Sequence, residues 1–443
     1  MMKTTKRRLE FFSFYDHTGI EAHLERMAQK GWLLEKIGNF TWHYRRIEPQ
    51  ALTFSVCYFP KASLFDPGPS EEQEMFYDFC RHTGWTLAAS SAQMQIFYNE
   101  RPDPVPIDTD PALEVDAIHK AAKKSWLISQ IMLLAVGALN FGQFLWRLFD
   151  DTVATLSSSL MLFSLVCWPV LFVLIGTDLA TYFLWRRRAL KAAEQGEFLA
   201  TKSHPAIQKL ALAVVLVGLV WGLSYLRGGL LTFMVVYLVC MFGIVFVVMQ
   251  LRELLKRKKV PAGVNRAVTF GACVVLPLIL VVLTLALVLK SNGLRTQEPG
   301  EPPLTLADLV EDPADGEPDQ SVRLSRSPLL STLAVNQYLW LGRNINDPAP
   351  HWLEYTVAEV KVPALYGVCR DDLLHQHDRY GQHYSPIDPA PWGAQEAYQA
   401  AYEDGRPMNH FLLCYPDRMV EFYLDTKPTT EQMARVGERL GGG

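Results

Sequence analysis

The segment from Asp371 to His383, DDLLHQHDRYGQH, holds the densest set of metal-capable side chains in the chain. Asp371, Asp372, His375, His377, Asp378 and His383 fall within thirteen residues and supply enough donors for a divalent cation. Their spacing fits no standard zinc motif, and the stretch also reads as a polar loop. His375, His377, Asp378 and His383 are therefore candidate ligands only, and a metal-dependent enzyme is one alternative function that rests on them. No G-x-S-x-G or H-E-x-x-H pattern occurs, so no catalytic residue and no cofactor motif is assigned. Seven cysteines include no C-x-x-C pair, which leaves a zinc ribbon or thioredoxin-like site unsupported. Cys369 and Cys414 are open to two readings, a disulfide or two buried thiols. Trp32, Trp42, Tyr44 and Trp85 form either a ligand cage or core. Core is favoured, because aromatic strand residues beside a Gly-Trp turn pack under a helix.

These residues are distributed around a long apolar centre. Five runs, about 126–147, 157–185, 208–226, 229–251 and 267–289, approach or exceed the roughly 20 apolar residues that span a bilayer. Lys and Arg cluster before the first run, after the second (Arg186, Arg187, Arg188, Lys191) and after the fourth (Arg252, Lys256–Lys259), and are sparse in the other loops. That alternation places the N-terminus in the cytoplasm and, after five spans, the C-terminus outside the cell membrane. The N-terminus has no long apolar stretch, so no cleaved signal peptide is expected. Within the spans, Asp178 is the notable charge. It is a functional candidate, or else it pairs with an arginine near the membrane surface. Pro169 and Pro277 are expected to kink their helices. The stretch 186–200 is amphipathic and suits an anionic inner leaflet.

Residues 9–100 read as a doublet. A strand over 9–16 leads to a capping box of Thr18 and Glu21 and a helix over 20–30, stopped at Gly31, with strands over 32–37 and 40–48. The pattern returns with a strand over 52–60, a capping box of Ser70 and Gln73, a helix to about 83, Gly84-Trp85 and two more strands. Two strand–helix–strand–strand units imply one antiparallel sheet with two helices on one face.

The pattern F-F-x-F-Y-D, then L-E-x-M-A-x-K-G-W-x-L, W-x-Y-x-R, F-x-V-x-Y-F-P and G-W-x-L, carries Met27, Gly31, Trp32, Trp42, Tyr44, Gly84 and Trp85. Over residues 9–100 it resembles the N-terminal domain of an uncharacterised bacterial family of multi-pass membrane proteins, known as a domain of unknown function. The resemblance implies a module followed by several spans. Members are often encoded beside PadR-type regulators, which implies a stress- or ligand-responsive role. It offers no catalytic residues to carry over, and the motif residues read as structural.

The expected layout is a cytoplasmic α+β domain (1–100), a linker and juxtamembrane helix (101–125), a transmembrane all-α core of five helices (126–289), an acidic Pro-rich linker (290–320) and a small extracytoplasmic α+β domain (321–443). From residue 295 onward the chain has 23 acidic and 12 basic residues. In the last domain, strands are expected over 351–362 and 410–425, a helix over 394–405, and a final helix capped by Thr429 and Gln432. The overall net charge of -4 gives no reason to expect nucleic-acid binding. The expected partners are the lipid bilayer and a protein at the cytoplasmic domain. The leading function is a non-enzymatic sensor, signalling or accessory component. A transporter or transporter subunit is the other alternative.

Overall fold

The computed structural model describes residues 4–38, 41–202, 204–224, 228–290, 302–310, 319–339, 351–376 and 382–442. They form two compact units. One comprises Met1–Ala138, Trp168–Val215 and Val239–Val282, and the other Leu139–Cys167, Leu216–Leu238 and Leu283–Gly443.

The N-terminal unit contains the doublet. Its first copy is β1 (Thr5–Arg8), α1 (His17–Gln29), β2 (Trp32–Ile37) and β3 (Trp42–Arg46). The second is β4 (Thr53–Tyr58), α2 (Glu71–His82), β5 (Thr86–Ser91) and β6 (Met94–Asn99). Each copy forms its own antiparallel sheet with the last strand in the middle, β1-β3-β2 and β4-β6-β5. The register shifts at the equivalent place in both, at Leu34/Lys36 and at Leu87/Ala89. Both helices stop at a glycine in the left-handed region, Gly31 (φ 76°) and Gly84 (φ 92°). At Gly31 a Cβ would also come within 2.8 Å of the Ile47 carbonyl.

Three local expectations are corrected. There are two three-stranded sheets rather than one; β2 and β5 lie side by side without a shared ladder. Residues 9–16 are not a strand, because their successive rings pack on different elements. Phe12 meets Trp42, Phe14 meets Tyr58, and Tyr15 meets Tyr182. An extended strand would turn alternate side chains to only two faces. Finally, the Thr18–Glu21 capping box does not form. Thr18 hydrogen-bonds to Thr201 and Glu21 accepts from the Val56 N–H at 2.8 Å, so tertiary contacts take both side chains. On α2, Ser70 does cap, accepting from the Gln73 N–H at 3.2 Å.

Helix α3 (Pro111–Lys124) begins at Asp110, whose carboxylate accepts from Ala112 and Leu113 N–H. Its buried Val115, Ile118 and Ala121 join Ile20, Leu24, Met27, Leu34 and Tyr44 in one core with Tyr182 and Trp185. The expected helix over 112–124 is thus present and contributes to this core.

The long helices are α4 (Trp126–Asp150), then, after the short α5 (Thr152–Ser157), α6 (Ser159–Ala193), α7 (Pro205–Ser224), α8 (Gly228–Arg257) and α9 (Ala262–Lys290). All five have the length and apolar content to cross a membrane. Their side chains Leu139, Val217, Phe242 and Val274 face away from protein, as lipid-facing residues do. Helices α6 and α9 run on through Pro169 and Pro277. Helix α6 also absorbs the Arg186–Lys191 cluster, and the Leu199–Thr201 stretch beyond it packs on the N-terminal core: Trp185 donates from Nε1 to the Leu199 carbonyl at 3.1 Å.

The C-terminal unit is built on β7 (Asp319–Arg326), β8 (Leu330–Leu339), β9 (His351–Val360), α10 (Tyr366–Gln376), β10 (Gln382–Ile387), β11 (Glu396–Tyr402), β12 (Pro407–Cys414), β13 (Arg418–Leu424) and α11 (Thr430–Leu440). The seven strands form one antiparallel sheet, ordered β10-β11-β12-β13-β9-β8-β7. The expected strands at β9 and the β12–β13 hairpin are present, and so is the Thr429–Gln432 capping box. Two expectations fail. The 394–405 stretch is strand β11, because its Ala397 and Ala400 are buried within a sheet whose neighbours override alanine's helix propensity. The supposed loop from Asp371 is the end of helix α10. One sheet face packs Val420, Phe422, Leu424, Phe411 and Tyr355 against Trp392, Val436 and Leu440. Gly437 makes that seat possible, since any Cβ there would overlap the Trp392 carbonyl. The other face packs Leu412, Cys414 and Met419 under α10 and α5.

Candidate functional site

The cover formed by α5 and α10 is shorter than the sheet. Side chains alternate across the faces of a strand. The face that presents Met419 and Leu412 to α10 therefore presents Glu421, Tyr423 and His410 further along β13 and β12. In register, His410 pairs with Tyr423, Leu412 with Glu421, and Glu421 with Thr356 on β9. His410, Glu421, Tyr423 and Thr356, with Trp352, Glu354, Gln376 and Gln382, line a cleft of about 460 Å³.

A polar group adjoins it through His410 and Glu421. The Tyr384 hydroxyl lies 3.2 Å from His410 Nε2, and that nitrogen lies 4.0 Å from Glu421 Oε1. Burial, followed by the neighbouring Glu421 charge, raises the Tyr384 phenol well above its ordinary range, so it stays a neutral hydroxyl. The wall is aromatic. Trp352 and Tyr423 meet edge to face at 4.6 Å, and His410 lies edge-on to Tyr423 at 5.8 Å. Trp352 remains 37% exposed. Among the described residues two carboxylates line the cleft, and no lysine or arginine does. Such a surface can stabilise a positive charge through ring faces and carboxylates together.

The residues singled out in the sequence lie elsewhere. Asp372 accepts from the Val153 N–H at 3.1 Å and so holds the start of α5. Exposed His375 bonds the Asp371 carbonyl, one helical turn back. His383 is on the exposed side of β10, while His377 and Asp378 fall outside the described residues. Among the described residues no group of three His, Cys, Asp or Glu is placed to hold a metal. Cys369 and Cys414 are free thiols buried in one apolar cluster, and burial pushes both up to about 11. Tyr44, Trp42 and Trp85 are core, as are Met27 and Gly31. Trp32 is half-buried, with Lys6 and Arg46 over its ring at 5.2 and 5.0 Å. Among the described residues Asp178 does not pair with an arginine. It accepts from Ser13 Oγ at 2.5 Å, and Ser13 in turn accepts from Gln208.

Sequence reading missed Trp352, Tyr384, His410, Glu421 and Tyr423. The available signal was polar residues at alternate places on otherwise apolar strands, as in RMVEFYL. Strand order and register, which bring them together, are not visible in that pattern.

Several buried titratable groups in the N-terminal unit are engaged within the protein. His17, only 4% exposed, pairs with Glu114 on α3 at 3.2 Å. Burial pulls its imidazole down, but the Glu114 hydrogen bond and charge, with Glu21 nearby, outweigh it and leave the group above its ordinary value. Burial raises Glu21 from 4.5 to about 7. Thr201 donates to Asp16 at 2.8 Å, and its N–H donates to Thr18 Oγ1 at 2.8 Å. These contacts join α1, α3, β4 and the segment after α6.

Five apolar helices carried between folded sheet-containing modules define a multi-pass membrane protein. Residues 16–131, from the start of α1 into α4, match the family model described as "Protein of unknown function (DUF2812)". Comparison with curated proteins and with solved structures gives no match.

Proposed function

We propose that the chain is a non-enzymatic sensor or accessory protein of the cell membrane, whose C-terminal sheet binds a small organic cation. The cleft with Trp352, Tyr423, Glu354 and Glu421 carries this reading: rings and carboxylates converge there, with no lining cation among the described residues. The alternation of basic loops supports a cytoplasmic N-terminal unit and an extracytoplasmic C-terminal unit. Each of the five long helices contributes residues to both units, which gives occupancy of the cleft a covalent route to the N-terminal module. That module would contact a protein partner. Its resemblance to a family often encoded beside PadR-type regulators supports a ligand-responsive role.

The test uses the full chain in neutral detergent, with choline and its uncharged isostere 3,3-dimethylbutanol as probes. Choline is expected to bind about tenfold more tightly, the size of one cation–π contact plus a carboxylate. Equal binding of the two, or no saturable response to choline, would sink the reading.

A further inference from the structure

A second cleft, of about 660 Å³, lies wholly within the N-terminal unit. Its walls are the ends of β2 and β5, the loop before α2, and the last turns of α8. Four cations line it: Lys36 from β2, and Arg252, Lys256 and Arg257 from α8. Its two carboxylates are already engaged. Asp66 accepts from the Ser63 N–H at 2.6 Å, and Glu253 pairs with Arg252 at 3.3 Å. Lys36, Lys256 and Arg257 make no ion pair among the described residues. Three cations around one cavity repel one another unless an anion lies between them.

The walls are held together by specific contacts. Asn265 Nδ2 donates to the Phe65 carbonyl at 3.2 Å, and Arg266 lies over the Phe65 ring at 5.6 Å. Phe65 also meets Phe270 at 6.4 Å. The loop that closes one side of the cleft is therefore seated on α9. Lys256 and Arg257 occupy the last turn of a helix that is long and apolar enough to span a membrane, whereas Lys36 belongs to the sheet module. A cation at a span end meets lipid headgroups by default; a cation brought to the same cavity by a β-strand does not.

We propose that this cleft binds the phosphate of an anionic ligand, bridging Lys36 to Lys256 and Arg257 and so fastening the N-terminal sheet module to α8. The chemistry is a phosphate ester, and its source is either an anionic lipid headgroup or a soluble phosphate compound. The volume accommodates a phosphoglycerol group.

The test is thermal unfolding of the full chain in neutral detergent with phosphatidylglycerol, phosphatidylcholine or inorganic phosphate. Native mass spectrometry would run in parallel to count retained lipid. Phosphatidylglycerol stabilising more than phosphatidylcholine, with one molecule retained per chain, assigns the site to lipid. Stabilisation by inorganic phosphate that phosphatidylglycerol does not exceed assigns it to a soluble compound. In either case Lys36→Gln and Lys256→Gln should each weaken the response about fivefold. Lys258→Gln with Lys259→Gln, on cations that do not line the cleft, should leave it intact. The proposal is overturned by an equal response to both lipids with none to phosphate. It is also overturned if the Lys258/Lys259 pair matters as much as Lys36 and Lys256. If either cleft variant fails to fold, the lipid count on the native chain and the outer-lysine control still decide.

Discussion

The two units use polar side chains in opposite ways. In the N-terminal unit His17, Glu21, Glu114, Asp16, Thr18 and Thr201 lie inside, and nearly every one bonds an element other than its own. In the C-terminal unit the core facing α11 is apolar, and the polar cluster of Tyr384, His410 and Glu421 sits where the cover of the opposite face ends. Buried polar groups that join separate elements stabilise a particular arrangement, because removing one strands its partner without water. In the C-terminal unit the Tyr384, His410 and Glu421 cluster joins three strands of a single sheet. The contrast shows that a high density of titratable residues does not by itself mark a binding site.

The sharpest test of this contrast is Glu114→Ala, which leaves His17 buried without its carboxylate. A loss of about 3 kcal/mol is expected, read as a lowered melting temperature of the full chain. An unchanged melting point would mean the pair does not hold α1 to α3.

Next in size is a pH effect. Glu21 has a folded-state value raised from 4.5 to about 7, so its contribution to stability is present below about 4.5 and is lost as pH rises through 7. His17 is also raised, and its contribution fades in the same direction, from above 6.5. Stability should therefore fall between pH 5 and pH 8. Glu21→Gln keeps an acceptor for the Val56 N–H but does not titrate. It should melt close to wild type at pH 5 and above it at pH 8. The gap is on the order of 2–3 kcal/mol after allowing for partial exposure. A constant gap across pH would break the assignment.

Smaller still is the effect of opening the C-terminal cleft. Trp352→Ala or Glu421→Gln should weaken choline binding about tenfold, roughly 1 kcal/mol or slightly more, with little change in melting. A large drop in melting temperature for Glu421→Gln would instead make its cluster structural, like that of the N-terminal unit. The smallest effect is expected at Asp178. Asn retains an acceptor for Ser13, so Asp178→Asn should shift stability by less than about 0.5 kcal/mol. Loss of a measurable uptake activity in that variant, at unchanged expression, would favour a carrier role and break the contrast from the other side.

Much of the architecture was legible because it depends on local pattern. Five apolar runs became five long helices, since the cost of an unpaired backbone in lipid leaves a spanning segment little alternative. The doublet was legible through Gly31 and Gly84, whose positive φ stops each helix at the same place in its copy. The capping residues Ser70 and Thr429 were readable for the same reason: a cap is settled within four residues.

What the sequence by itself determined, then, was the membrane core, the repeat and most of the strands, all consequences of periodicity and short-range backbone chemistry. Tertiary structure decided the rest. It drew Thr18 and Glu21 away from a capping box, gave Asp178 a serine instead of an arginine, turned 394–405 into a strand, and divided the doublet into two sheets. It also assembled the cleft, because Trp352, His410, Glu421 and Tyr423 lie on three different strands and meet only through strand order and register. Those depend on which faces bury together, a choice made between distant segments and not written in any one of them.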